Sequence, residues 1–341
     1  MGVTFQACED ALEKAVTELF DADPQIQAVG IARHQDAFGF KAVKNEAKIV
    51  PSSAAAQAKK RPPKAVHKVP ITIETVAADI ELQLRVSHPQ VASFVPERGL
   101  VRPLVCGLQI QNVDDDDRQR KAGALQPGFI IIGTLGCFVT LADGSSAILS
   151  NNHVLAGENR GRKGKDRILQ PGNLTFTAAQ HVATLTDFVA LKPSPANARP
   201  ARGNVVFNAV DAAVAKLEQG VVFSQSYLPT RRQPVPHGLA TAKVGDKVFK
   251  IGRTTGLTPG TITAVGVVVG PIGYDPGNCW FSQQFEIVGD NGTMFSDHGD
   301  SGSAIVSTTG EVLGLLYAGN GTHTYACPIQ AVLAALSCTL A

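Results

Sequence analysis

Short apolar runs separated by turn dipeptides dominate the chain from about residue 128 onward. The first set falls at 129–141, 146–150, 181–191, 204–207 and 210–217. A second set falls at 247–252, 261–269, 281–288, 303–306, 311–318 and 324–329. Asp143-Gly144, Pro171-Gly172, Pro259-Gly260 and Asn291-Gly292 punctuate them. Gly and Asn accept the positive φ of tight turns, and Pro presets the turn entry. Two sets of about six short strands predict a mainly β chain with two six-stranded antiparallel barrels, at about 128–220 and 238–327. A C-terminal helix is expected over 328–337, with Pro328 near its first turn.

The N-terminal pattern differs. Residues 8–21 place Leu12, Ala15, Val16 and Leu19 at helical spacing. Strand-like runs follow at Ile26–Arg33, Phe38–Val43 and Val69–Val76, with the basic stretch SSAAAQAKKRPPKAVHK as a solvated loop between the last two. One helix and about three strands predict a small α+β accessory domain over 1–90. Residues 91–122 read as a connector carrying the acidic run Asp114–Asp117. That run lacks the spacing of an EF-hand, which makes it a solvated loop rather than a calcium site.

Length and charge narrow the function. A chain of 341 residues holds two domains or slightly more. The net charge of +2 gives no reason to expect a nucleic-acid or membrane-surface partner. Glu9, Asp10 and Glu13 stand where a secretory leader would be basic and then apolar. The longest apolar stretch, Gly128 to Ala142, is too short to span a bilayer as a helix. The six cysteines show no metal-binding spacing.

Candidate chemistry concentrates in His298-Gly299-Asp300-Ser301-Gly302-Ser303, which runs into the apolar Ala304-Ile305-Val306. A serine between glycines before a buried strand is a nucleophile presented at a tight turn. The N–H groups of Gly299 and Ser301 would converge on one point as an oxyanion hole. A serine hydroxyl needs a base beside it. The candidate is His153, in Ala147-Ile148-Leu149-Ser150-Asn151-Asn152-His153-Val154-Leu155-Ala156. The histidine in turn needs a carboxylate to fix its tautomer. Asp211, at the head of Asp-Ala-Ala-Val-Ala-Lys-Leu, has the better spacing, and Asp187 in Asp-Phe-Val-Ala-Leu-Lys is the alternative.

These motifs, with Gly252-Arg253-Thr254-Thr255-Gly256 between them, resemble those of trypsin-like serine proteases over about residues 123–341. The Asn151-Asn152 pair resembles a bacterial and plant narrow-leaf group within that family. The resemblance implies a serine endopeptidase with His153, Asp211 and Ser301 in the order of chymotrypsin, needing no metal or cofactor. An esterase with the same triad, or an interaction protein that keeps the fold without useful turnover, are the alternatives. It implies an Arg253–Asp300 ion pair that supports the oxyanion hole without a newly cut N-terminus. It implies a primary pocket with Phe295 at the floor, six residues before Ser301. Ser296, Leu316, Tyr317 and Gly319 would form the walls and His323 the far side. Secreted relatives bridge a cysteine after the histidine to one on the preceding strand. Val154 follows His153 here, so Cys137 lacks that partner, and reduced thiols in the cytoplasm are expected. Protein or peptide substrates are the expected partners. The N-terminal domain, assigned no activity, is left to dock a partner, build an oligomer or cover the cleft.

Overall fold

Thr4 accepts a hydrogen bond from the Ala7 N–H and so starts α1 (Phe5–Ala22), one turn earlier than the apolar spacing indicates. The computed structural model describes residues 3–34, 37–45, 63–67, 69–76, 78–82, 85–87 and 95–341. The basic loop therefore lies mostly outside the described residues. After α1 come β1 (Ile26–His34), β2 (Ala37–Asn45), β3 (Ala65–Val66), β4 (Val69–Val76), β5 (Glu81–Leu82) and β6 (Arg85–Ser87).

The next stretch holds β7 (Gln109–Asn112), α2 (Val113–Lys121), β8 (Ile130–Thr134), β9 (Cys137–Leu141), β10 (Ser146–Ser150) and the short α3 (Asn152–Leu155). It continues through β11 (Arg167–Leu169), β12 (His181–Phe188), β13 (Phe207–Asn208) and β14 (Ala213–Leu217). The Asp run is therefore helical rather than looped. The Asn112 side chain caps the Asp115 N–H at 2.9 Å, and acids in the first turn with bases in the last suit the helix dipole.

The last third holds β15 (Lys247–Gly252), β16 (Gly256–Tyr274), β17 (Gly277–Gly289), β18 (Ala304–Ser307), β19 (Val312–Gly319), β20 (His323–Pro328), α4 (Ile329–Ala335) and β21 (Cys338–Leu340). Pairing runs β15-β16-β17-β20-β19-β18 and back to β15, which closes a six-stranded barrel. Pro259-Gly260, expected at a turn, lies inside β16. Gly260 serves a close approach instead, because a Cβ there would meet the Phe295 ring at 2.6 Å. The first barrel is a curled sheet in the order β21-β9-β10-β14-β12-β11-β7-β8-β6. The expected strand at 129–141 breaks at Leu135-Gly136, where the chain leaves β8 and enters β9. The connector thus supplies β7 and α2 to the first barrel. β13, expected in that barrel, pairs in parallel with β17 of the other one.

The N-terminal elements are not a separate body. β1 pairs with β16, Ala28 opposite Val269 and Ala32 opposite Ala264, and so extends the second barrel's sheet. Seven consecutive residues of β1 are buried, so both faces need cover that a small free-standing module would lack. α1 provides one cover: Ala15, Leu19 and Phe20 share an apolar core with Trp280, Phe285 and Ile287. The Phe20 and Trp280 rings meet edge to face at 5.0 Å. At the other end, β21 pairs with β9 and ties the C-terminus to the first barrel. No helix among the described residues is long and apolar enough to cross a membrane.

Candidate active site

β10 ends at Ser150, and the chain turns at once into α3. This turn places His153 beside the loop that leads into β14. His153 Nδ1 is 2.5 Å from Asp211 Oδ2, and neither side chain is reached by solvent. The His153 backbone N–H donates to Asp211 Oδ1 at 3.3 Å. A third donor, the Tyr274 hydroxyl, reaches Asp211 Oδ2 at 2.8 Å from the end of β16. Asn151 Nδ2 donates to the Asp211 carbonyl at 2.7 Å, and Asn152 Nδ2 to the Val189 carbonyl at 2.7 Å. The Asn pair thus staples the histidine turn to neighbouring chain. Asp187, the alternative carboxylate, is half exposed and holds Lys163 at 2.5 Å.

Ser301 sits on the opposite barrel, in the loop before β18. Gly299 and Gly302 have φ of 100° and 90°, a region that a side chain strains. A Cβ on Gly302 would also strike the Ser150 hydroxyl. Thr134, at the end of β8, holds the loop from the first barrel. Its N–H donates to the Ser301 carbonyl at 2.8 Å, and its hydroxyl donates to the Gly299 carbonyl at 2.8 Å. Among the described residues, the N–H groups of Gly299 and Ser301 donate to no protein acceptor. The Ser301 hydroxyl donates to the Tyr317 carbonyl at 3.4 Å, and His153 Nε2 is buried without a partner.

The expected Arg253–Asp300 pair is replaced by another. Lys250 Nζ lies 3.1 Å from Asp300 Oδ2, both side chains fully buried. Lys250 also donates to the Gly256 carbonyl at 3.0 Å and to the Thr255 hydroxyl. Asp300 also accepts from the Thr254 N–H at 2.8 Å, the Thr255 N–H at 3.2 Å, the Thr255 hydroxyl at 2.6 Å and the Asp297 N–H at 3.1 Å. Strand alternation explains the exchange: positions 250 and 252 face one way and 253 the other. Gly252 leaves the space, since a Cβ there would run into the Asp300 carboxylate. Arg253 reaches Gln109 Oε1 instead, at 2.9 Å through Nη2. Burial lowers the pKa of Lys250, and Asp300 opposes that shift. Nearby, Glu97 is fully buried and bonded to Arg231 at 2.5 Å, and Arg98 Nε donates to the Arg253 carbonyl at 3.1 Å, so the connector braces the turn after β15.

The expected pocket residues separate into two groups. Phe295 is buried in the second barrel's core with Leu316, and the Tyr317 ring packs 4.8 Å from Phe281 in the core between the barrels. Ser296 is buried with its hydroxyl 2.5 Å from that of Thr324. His323 is buried on β20, with Nε2 3.2 Å from Glu74 and 3.3 Å from Lys41. Lys41 in turn holds Glu286 at 2.8 Å, and Glu286 also accepts from the hydroxyls of Thr263 at 2.6 Å and Tyr325 at 2.9 Å. His323 first, then Lys41, brings the Glu74 carboxyl down to about 2. Gly319 ends β19. A cleft of about 360 Å³ beside this network is lined by Arg33, His34, Lys41 and Glu74. Another cleft of about 390 Å³ lies past His153, lined by Glu158, Arg160 and Asp275. All six cysteines are unpaired and buried. Among the described residues, no group of three or more His, Cys, Asp or Glu is placed to hold a metal ion.

Thr134, Lys250 and Tyr274 escaped the sequence reading. Lys250 sits two residues before the quoted Gly-Arg-Thr-Thr-Gly segment, and a period-of-two reading of that strand would have found it. Nothing local marks Thr134 or Tyr274, which act across the fold.

The family described as Nal1 C-terminal domain matches residues 237–325, the span of the second barrel. No curated protein matches the chain. Among solved structures, Thermobifida fusca protease A is 16% identical, covering 61% of this chain and 91% of its own, with a TM-score of 0.42. The Nocardiopsis protease is 20% identical, covering 70% and 98%, with a TM-score of 0.45. A glutamic acid-specific serine protease is 18% identical, covering 70% and 100%, also with a TM-score of 0.45.

Proposed function

We propose that the chain is a serine endopeptidase working through an acyl-enzyme. The observation that carries this reading is the buried 2.5 Å contact of His153 Nδ1 with Asp211, which leaves Nε2 without a partner. A carboxylate on Nδ1 selects the tautomer in which Nε2 accepts a proton. In this reading Nε2 takes the Ser301 proton, Ser301 Oγ attacks a peptide carbonyl, and the free Gly299 and Ser301 N–H groups hold the oxyanion. His153 then returns the proton to the leaving amine, and water releases the acyl group. Because Lys250 is already in the chain, the Asp300 loop needs no new N-terminus. We place the protein in a reducing compartment, on its six unpaired thiols, and we keep the bacterial and plant narrow-leaf group as its proposed kin.

A second reading is a silent protein that keeps the architecture. One observation favours it: the Ser301 hydroxyl is bonded to the Tyr317 carbonyl rather than to His153. A fluorophosphonate probe decides between them. Labelling of the chain that vanishes in Ser301→Ala supports the enzyme, and absence of labelling in both removes it. Matched peptide and ester substrates then separate a peptidase from an esterase using the same triad.

A further inference from the structure

Two short strands from the N-terminal region each add to one barrel, at edges next to Ser301. β5 adds antiparallel to β19, Glu81 opposite Gly319 and Leu82 opposite Ala318. β6 adds antiparallel to β8, with Arg85, Val86 and Ser87 opposite Ile132, Ile131 and Ile130. Ser301 lies between these two edges. Its hydroxyl bonds to the carbonyl of Tyr317, next to Ala318, and its own carbonyl to the N–H of Thr134, at the end of β8. Leu82 and Arg85 are three peptide links apart, so their Cα atoms are at most about 11 Å apart. The two ladders therefore bracket the candidate nucleophile at the spacing of one continuous peptide.

The strand that enters this groove is anchored at its root. The Ile80 N–H donates to Gln27 Oε1 at 3.1 Å, while Asp79 Oδ1 accepts from Gln27 Nε2 at 2.6 Å and Asn45 Nδ2 at 2.8 Å. Gln27, Asn45 and Ile80 are all buried. Further along, Glu81 comes within 4.0 Å of His298 in the nucleophile loop. Ser301 and His153 are 0% and 1% exposed with these strands in place. β5 and β6 are themselves only two and three residues long. Pairs this short separate without unfolding the barrels that carry them.

We propose that β5 and β6 form an internal strap that occupies the peptide-binding edges of both barrels. This rests on the endopeptidase reading. An extended peptide docks on a sheet edge by making the backbone bonds of an added strand. Here those bonds on β19 and β8 are already made by the chain itself. An incoming peptide must displace the strap, so its apparent affinity is reduced by the fraction of molecules with the strap open. The strap acts on peptide binding and leaves the chemical step unchanged.

Leu82→Pro and Val86→Pro each remove a backbone donor within a strap strand. Both are made in the full chain, alongside Gln27→Ala, which loosens the root away from the groove. Thermal unfolding confirms which variants fold. With an extended fluorogenic peptide, a folded strap variant should show KM lowered about tenfold or more and kcat within about twofold. Unchanged KM in the folded variants overturns the strap. A second measurement avoids turnover. In a Ser301→Ala background, a synthetic peptide of sequence Asp79–Ser87 should bind the strap variants at least about tenfold tighter than the parent. Equal affinities overturn the strap whether or not the protein is an enzyme. Loss of fluorophosphonate labelling in every form would instead refute the endopeptidase reading. A purified wild-type chain found cut between Leu82 and Arg85 also overturns the proposal, because a strap that is consumed holds nothing closed.

Discussion

Lys250 and Asp300 form an ion pair at 3.1 Å, both fully buried, directly behind the loop that carries Ser301. A lysine three residues before the expected arginine thus holds the aspartate that shapes the nucleophile turn. Its three ammonium protons have three acceptors, Asp300, Thr255 and Gly256. Lys250→Met should cost about 3–5 kcal/mol of stability, since it leaves a buried carboxylate without its counter-ion. Lys250→Met with Asp300→Asn should cost less than Lys250→Met alone, and Arg253→Ala should also cost less. Urea unfolding of the four chains checks this order. A larger loss for Arg253→Ala than for Lys250→Met would contradict the assignment.

Ser301→Ala and His153→Ala should each lower peptide hydrolysis by about 10⁴-fold or more, because members of a triad act as a unit. Asp211→Asn should fall comparably through the wrong histidine tautomer. Asp187→Asn should stay near wild type, as its partner is the surface Lys163. Single-turnover rates on one peptide decide the matter. A dead Asp187→Asn beside an active Asp211→Asn would reverse the roles.

Tyr274 donates to the same carboxylate oxygen as His153 does, from a strand of the other barrel. A hydrogen bond to a charged acceptor is worth about 1.5–3 kcal/mol. Tyr274→Phe should therefore lower kcat by roughly tenfold or more while leaving KM near its starting value, as expected of a positioning residue. An unchanged kcat would show that the other two contacts already fix Asp211.

The meeting of His153 with Asp211 was legible in the order of the motifs. His153, Asp211 and Ser301 stand on separate elements, and each carries a local signature of strand, turn and small residues. The ion pair was misread because the motif Gly-Arg-Thr-Thr-Gly drew attention to Arg253, whereas side-chain alternation decides which position faces Asp300. The runs at 146–150 and 247–252 became strands with their expected ends, whereas that at 129–141 split in two and that at 261–269 grew into Gly256–Tyr274. The N-terminal domain was misread as separate because its elements are locally complete. What joins it to the second barrel is the burial of both faces of β1, and that depends on β16, more than two hundred residues away.

Asp116 makes stability depend on pH. Burial raises its carboxyl to about 7, against the pull of donors from Ile131 N–H at 3.0 Å and Gln111 at 2.5 Å. The folded chain therefore holds this proton more tightly than the unfolded chain. The contribution is full below the unfolded value near 4 and is lost as pH rises through about 7. Asp116→Asn cannot titrate, so its urea midpoint relative to wild type should improve between pH 5 and pH 8. The gain is bounded at about 4 kcal/mol by the size of the shift. A constant difference across that range would rule the effect out.

A preference for uncharged side chains before the cut bond follows from charges already paired near the expected pocket. Glu286 is the buried carboxylate on that side, and Lys41, Thr263 and Tyr325 satisfy it. Glu74 is held by both Lys41, at 2.8 Å, and His323, at 3.2 Å, and Phe295 offers only a ring packed into the core. A substrate Lys or Arg would enter without an open carboxylate, at a cost of several kcal/mol. Small or medium uncharged side chains before the cut bond should therefore be preferred. Lys41→Met tests the cause, because it removes the resident cation and leaves the Glu286 charge uncompensated. In a peptide-library profile, wild type should disfavour Lys and Arg at that position, and Lys41→Met should raise their share severalfold. A wild-type profile dominated by Lys or Arg would place the selecting carboxylate elsewhere, with Asp297 as the first candidate. A profile that Lys41→Met leaves unchanged would detach the network from specificity.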